Sequence, residues 1–148
     1  MKSAKLPYEH HLSLQLYEFI SKDYKALLEC SAKEIRSYDL SGTEFSILEL
    51  FYHKKKVRVE EIGMEILIPS SDTTFYINQL EKKGYIKHVL LKCVNYAYIR
   101  KKGTELIDNI FPKHSKAIER AMHGLTNEEK KMVITLIKKI SLEASKDL

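Results

Sequence analysis

The stretch that most constrains this chain runs from Leu40 to Gly103, where two helical patterns meet at Ile68-Pro69 and two β-rich runs follow. Val59 to Ile66 reads as a short amphipathic helix. A second helix opens at the start signal Pro69-Ser70-Ser71, places Ile77 and Leu80 on one side, and stops at Lys82-Lys83-Gly84. Its other side carries short hydroxyl and amide groups, which fit a major groove and can hydrogen-bond base edges. The same pattern also suits an ordinary helix-turn-helix corner within an all-helical domain.

The flanking segments extend this motif in both directions. Leu40-Ser41-Gly42-Thr43-Glu44-Phe45 predicts a helix start: Ser41 caps, Glu44 closes a capping box, and Leu40 staples to Phe45. That helix carries Leu48, Phe51 and Tyr52, ends near His53, and leads to Val57-Arg58-Val59, a very short strand. Downstream, Tyr85 to Leu91 and Val94 to Ile99 predict a hairpin turning at Lys92-Cys93. Such a hairpin is either a wing lying over a nucleic-acid backbone or a closure for the core, the latter suggested by Ile86 and Ile99.

Long helical arms follow from the apolar spacing on either side. Leu12, Leu16, Phe19, Ile20, Tyr24, Leu27, Leu28, Ile35 and Tyr38 recur at threes and fours, predicting one helix from Tyr8 to Tyr38. After Gly103, Leu106, Ile107, Ile110, Phe111, Ile118 and Met122 mark another helix, with a kink expected at Pro112. Thr126-Asn127-Glu128-Glu129 forms a capping box opening the last helix, striped by Met132, Val133, Leu136, Ile137 and Ile140. These arms offer more apolar surface than a small domain can cover, so packing against a second chain is expected. The predicted fold is mainly α with a small β-wing, as a single chain over 1–148. A winged helix-turn-helix part at 40–103 is flanked by helical dimerisation segments at 8–38 and 104–146.

Charge and chemistry narrow the function. The net charge of +5 is concentrated in the centre: between Lys54 and Lys102, eleven Lys and Arg face five Asp and Glu. A positive centre suits phosphate contact, although a solvated basic face would look the same. Cys30 and Cys93 are distant and outside any CxxC pair, and the six histidines lack metal-ligand spacing, so no metal or other cofactor is expected. No carboxylate pair, nucleophile–base arrangement or Gly-rich phosphate loop supports an enzyme. No apolar run approaches the ~20 residues of a membrane span, and Met1 to His11 lacks a secretory apolar region; a cytoplasmic protein is expected.

The order of these elements resembles the MarR (multiple antibiotic resistance regulator) family of winged-helix transcription factors. The residues carrying the resemblance are Leu40-Ser41-Gly42-Thr43-Glu44-Phe45-Ser46-Ile47-Leu48, Leu80-Glu81-Lys82-Lys83-Gly84-Tyr85-Ile86, Lys101-Lys102-Gly103 and Gly124-Leu125-Thr126-Asn127-Glu128-Glu129. No single motif is very specific; their order and spacing carry the match. The resemblance implies a homodimer reading a pseudo-palindromic operator in double-stranded DNA, usually to repress, and released by a small aromatic or lipophilic effector, an oxidant or a metal. One departure stands out: the family's wing usually carries Asp-Arg-Arg, whereas Leu90-Leu91-Lys92-Cys93-Val94-Asn95 stands here in a shortened loop. Lysine lacks the planar fork of arginine, so weaker or redistributed wing contacts are expected.

The residues expected to touch DNA are Ser70, Ser71, Thr74 and Asn78 on the helix, with Lys82, Lys83, Lys87 and Lys92 on phosphates. Either serine serves equally well as a helix cap. Phe75 and Tyr76 are assigned to packing or backbone spacing rather than base reading. Tyr17, Tyr24, Tyr38 and Tyr52 are candidates for an effector pocket, a role that competes with simple core packing, and Cys93 is the redox candidate. The alternative reading is a winged-helix protein-interaction module, or an antagonist of a DNA-binding relative with weakened operator binding.

Overall fold

The computed structural model describes residues 5–147; Met1 to Ala4, part of the N-terminal stretch used in judging localisation, lie outside them. Helix α1 (Tyr8–Ser37) is followed by α2 (Gly42–His53), β1 (Lys56–Arg58), α3 (Val59–Ile66) and α4 (Ser70–Lys82). Then come β2 (Ile86–Leu91), β3 (Val94–Ile99), α5 (Lys101–Ala121) and α6 (Asn127–Ala144). The fold is therefore mainly helical with a small β-wing, as the sequence predicts.

Local chemistry sets the boundaries. Thr126 and Glu129 form the expected capping box of α6. At α2 the expected box is only half made: the Glu44 N–H donates to Ser41 Oγ at 3.1 Å, but the Glu44 carboxylate accepts from Lys83 Nζ at 2.8 Å. Glu44 is buried, and a buried carboxylate gains more from a cation than from one further N–H. Leu40 and Phe45 still enter the core together. Helix α5 continues through Pro112 to Ala121 as one helix. Pro112 is exposed, so water can serve the carbonyl that loses its helical donor.

The three strands form one antiparallel sheet in the order β1-β3-β2. Val57 pairs with Ala97, and Ala97 with His88, on the face turned to the helices. The core joins Phe45, Leu48 and Phe51 of α2 to Ile62 of α3, Ile77 and Leu80 of α4, and Ile86 and Ala97 of the sheet. It extends to Ile35 at the end of α1 and to Ile107 and Ile110 in α5, so both arms are rooted in it. Beyond those roots the arms are bare. Leu12, Leu16, Phe19 and Ile20 of α1 are exposed, as are Met132, Val133, Leu136, Ile137 and Ile140 of α6. Among the described residues, α6 buries none.

Candidate nucleic-acid interface

Helix α4 is positioned by the helix before it. Leu67 takes a left-handed conformation (φ 56°) that ends α3 and turns the chain toward α4. Gly63 of α3 lets α4 approach closely, because a Cβ there would stand 2.8 Å from Thr73 Oγ1. Thr73 is buried at this crossing, with its hydroxyl donating to the Pro69 carbonyl at 3.1 Å. Thr73, Ile77 and Leu80 form the buried side of α4.

The far end of α4 is fixed by charge. Lys83 Nζ donates to Glu44 Oε2 at 2.8 Å and to the Asp39 carbonyl at 2.6 Å. Glu81 Oε2 accepts the backbone N–H of His88 at 2.8 Å and lies 2.6 Å from His88 Nδ1, which ties the helix to β2. The backbone donor, with His88 and Lys87 nearby, holds the Glu81 carboxyl below its ordinary range despite the opposing effect of partial burial.

The opposite side of α4 is open. Ser70, Ser71, Thr74, Asn78 and Lys82 are all exposed. Residue spacing puts Ser71, Thr74 and Asn78 on one face. The helix is capped at Pro69 with no side-chain bond, so neither serine hydroxyl is consumed in capping. Thr74 Oγ1 donates back to the Ser70 carbonyl at 3.1 Å, which leaves its methyl and an acceptor lone pair outward. Phe75 is not packed into the core: it is 55% exposed, touching Tyr76 edge-on at 5.2 Å between ring centroids. Its offsets of four from Ser71 and three from Asn78 place it beside them, a spacing signal that the general preference of aromatics for burial obscured.

The lysines divide into two groups. Lys82, Lys87 and Lys92 are exposed, Lys92 at the hairpin turn, while Lys83 is drawn into its ion pair with Glu44. A cleft of about 550 Å³ separates the hairpin from the first turn of α4, lined by Arg58, Ser70, Thr74, Cys93 and Asn95 among others. Arg58 is a cation that the sequence reading passed over; only the strand register reveals that β1 borders this cleft. Its acidic partner among the described residues is Glu60, at 3.6 Å, itself exposed.

A second groove, of about 730 Å³, lies between α1, α2 and α5. Of the four tyrosines considered for an effector, Tyr24 lines it. Tyr38 accepts from Lys113 Nζ at 2.7 Å, Tyr52 stacks on Phe111 with centroids 4.0 Å apart, and Tyr17 projects to solvent. The groove's polar group is one the sequence did not suggest: His114 Nδ1 lies 3.0 Å from Ser31 Oγ, and Nε2 lies 3.7 Å from Glu49 Oε1. Three helices contribute these residues, so no local spacing could have joined them. Among the described residues, no group of three His, Cys, Asp or Glu could hold a metal ion, and no helix is long and apolar enough to cross a membrane.

Comparison with known proteins places this geometry in a family. No family model matches the chain. The helix-turn-helix transcriptional regulator MhqR of Bacillus subtilis is 33% identical over 135 residues, covering 89% of this chain and 93% of MhqR. YkoM of the same organism, an HTH-type transcriptional regulator, is 30% identical over 135 residues, covering 89% and 88%. A MarR protein from Peptoclostridium difficile superposes with a TM-score of 0.81 over 99% of this chain and 94% of its own, at 19% identity. An Escherichia coli MarR mutant in complex with operator DNA superposes with a TM-score of 0.78 over 91% and 99%, at 13% identity. With regulators as its relatives over nearly their whole length and MarR proteins as its structural neighbours, the chain belongs to the MarR family of winged-helix transcriptional regulators.

Proposed function

We propose that the protein is a homodimeric repressor that reads a pseudo-palindromic operator by inserting α4 into the major groove. The observation that carries this reading is the exposed face of Ser71, Thr74 and Asn78, backed by a buried Thr73, Ile77 and Leu80. Asn78 offers the two-pronged hydrogen bond that suits adenine, and the Thr74 methyl suits thymine. Ser70, Lys82, Lys87 and Lys92 supply contacts to the backbone. The bare stripes of α1 and α6 support pairing of two chains, which would present two reading helices to one face of a duplex. A small aromatic or lipophilic effector entering the groove beside Tyr24 and His114 would relieve repression by shifting α1 and α5 against the winged part.

Selection of bound sites from random DNA tests the proposal. A palindromic site with half-sites about one helical turn apart is expected, and recovery of no preferred sequence rejects it. One observation favours a second reading. The hairpin exposes Leu90 (66%) and Leu91 (47%) near a turn without arginine, as a protein-binding wing would. That reading predicts that Ser71→Ala, Thr74→Ala and Asn78→Ala together leave activity intact.

A further inference from the structure

One apolar side chain stands in the middle of the polar face of α4, and none of the roles above uses it. Phe75 is 55% exposed. At 3.6 residues per turn it lies roughly 160° around the helix from both Thr73 and Ile77, and about 140° from Leu80. Those three are the residues that α4 buries. By the same count Thr74 lies only about 60° from Ile77, on the flank of the exposed face. The stripe directly opposite the core is therefore Ser71, Phe75, Asn78 and Lys82, spaced by four, three and four, and all of them are exposed.

Packing within the chain does not account for a phenylalanine at that position. Its ring belongs neither to the core nor to the partly buried apolar groups packed against it. Tyr76, which does pack against the core, meets the Phe75 ring at an interplanar angle of 79°. Ring quadrupoles favour this edge-to-face arrangement, so an anchored tyrosine steadies the phenylalanine in its outward position. A phenyl ring has no conventional hydrogen-bonding group, so between Ser71 and Asn78 it can discriminate only through apolar contact. The major-groove edges of the base pairs present one methyl group, the 5-methyl of thymine. Wedging a ring between base steps is a device of minor-groove binders, whereas a helix is admitted by the wider major groove.

We infer that Phe75 is a specificity-determining residue, its ring packing against the 5-methyl group of one thymine in each half-site. This rests on the reading of α4 as the helix that enters the major groove, and it deepens that reading. The centre of the reading face selects a base by its methyl group, with the hydrogen-bonding side chains Ser71 and Asn78 a turn to either side.

The test uses the full-length protein and the site it selects from random DNA. Each thymine of the half-site is replaced in turn by deoxyuridine, in both half-sites at once, which removes the methyl and keeps every hydrogen-bonding group. Affinity is read by competition anisotropy at a fixed salt concentration. At one thymine the wild type should lose about fourfold per half-site, the effect of burying one methyl, or roughly 15-fold for the pair. Phe75→Ala should be nearly indifferent to that replacement, Phe75→Leu should keep most of the loss, and Thr74→Ser should keep it in full. A wild type with no thymine sensitive to uracil overturns the inference, as does a loss that Phe75→Ala retains or that Thr74→Ser abolishes. If Phe75→Ala melts well below the wild type, or weakens binding equally to the site and to a scrambled duplex, the ring supports the helix and the inference is likewise overturned. A wild type that prefers no site over a scrambled duplex overturns the operator reading itself, and this inference with it.

Discussion

At the scale of single residues, similar side chains have separate duties that sequence alone does not distinguish. Lys82 and Lys83 are adjacent, yet Lys82 is exposed while Lys83 lies between the Glu44 carboxylate and the Asp39 carbonyl. Lys83→Met would strand a buried carboxylate, and we expect a loss of about 1–3 kcal/mol of folding stability, below the range for a fully buried pair because Lys83 keeps some water. Lys82→Met should leave the melting temperature within experimental scatter and lower the salt slope of DNA binding by about 1. Chemical denaturation and salt-dependent anisotropy on both variants check the contrast, and an equal stability loss in the two would refute it. In the proposed reading Asn78 belongs with the readers of sequence. Asn78→Ala should weaken binding to the selected site by about 1–3 kcal/mol and relax preference at one base pair of each half-site, with non-specific binding unchanged. Competition against a panel of single-base variants of the site measures this directly, and a uniform loss across the panel would make Asn78 a backbone contact.

Elements show where the fold stores strain. The hairpin turns on two residues, Lys92 (φ 49°) and Cys93 (φ 65°), both in the left-handed region. Such a turn matches strand twist but favours Asn-Gly, and each ordinary residue there costs on the order of 1 kcal/mol. Cys93→Gly should therefore stabilise the protein by about 0.5–1 kcal/mol after the larger entropy loss of glycine is counted, read as a higher denaturant midpoint at unchanged slope. The same variant addresses redox sensing: if peroxide releases DNA from it as from the wild type, the Cys93 thiol is not the sensor. The location of this hairpin was legible because strand-forming residues crowd both sides of Lys92-Cys93, as were α3 from its local periodicity and α6 from its periodicity and capping box. What was not legible involves partners far apart in the chain. The half-made box at Ser41 depends on Lys83, 39 residues from Glu44. The placement of Arg58 at the cleft depends on β1 pairing with β3, and the His114, Ser31 and Glu49 group on three helices converging. Periodicity records which face of an element is apolar; it does not record what that face meets.

For the whole molecule the governing fact is that the arms are apolar where the single chain has nothing to cover them. Leu136 and Ile137 of α6 are about half exposed, in line with Met132, Val133 and Ile140, and Leu12, Leu16 and Phe19 repeat the situation on α1. Burying such stripes against a second copy removes apolar surface worth roughly 25 cal/mol per Å² before association costs are subtracted. Because the winged part has its own core of α2, α3, α4 and the sheet, breaking that association need not unfold the part that reads DNA. Leu136→Glu with Ile137→Glu should therefore halve the mass in sedimentation equilibrium while the far-ultraviolet circular dichroism stays close to the wild type. The monomer keeps one α4 but loses the linkage that turns the second half-site into an intramolecular event, so affinity for the full operator should fall by about 10²–10⁴. Affinity for an isolated half-site should not change, and this second measurement separates lost avidity from a damaged reading helix. A variant that remains dimeric would move the subunit contact away from α6, and a monomer binding the full operator as tightly as the wild type would remove the need for two symmetric copies.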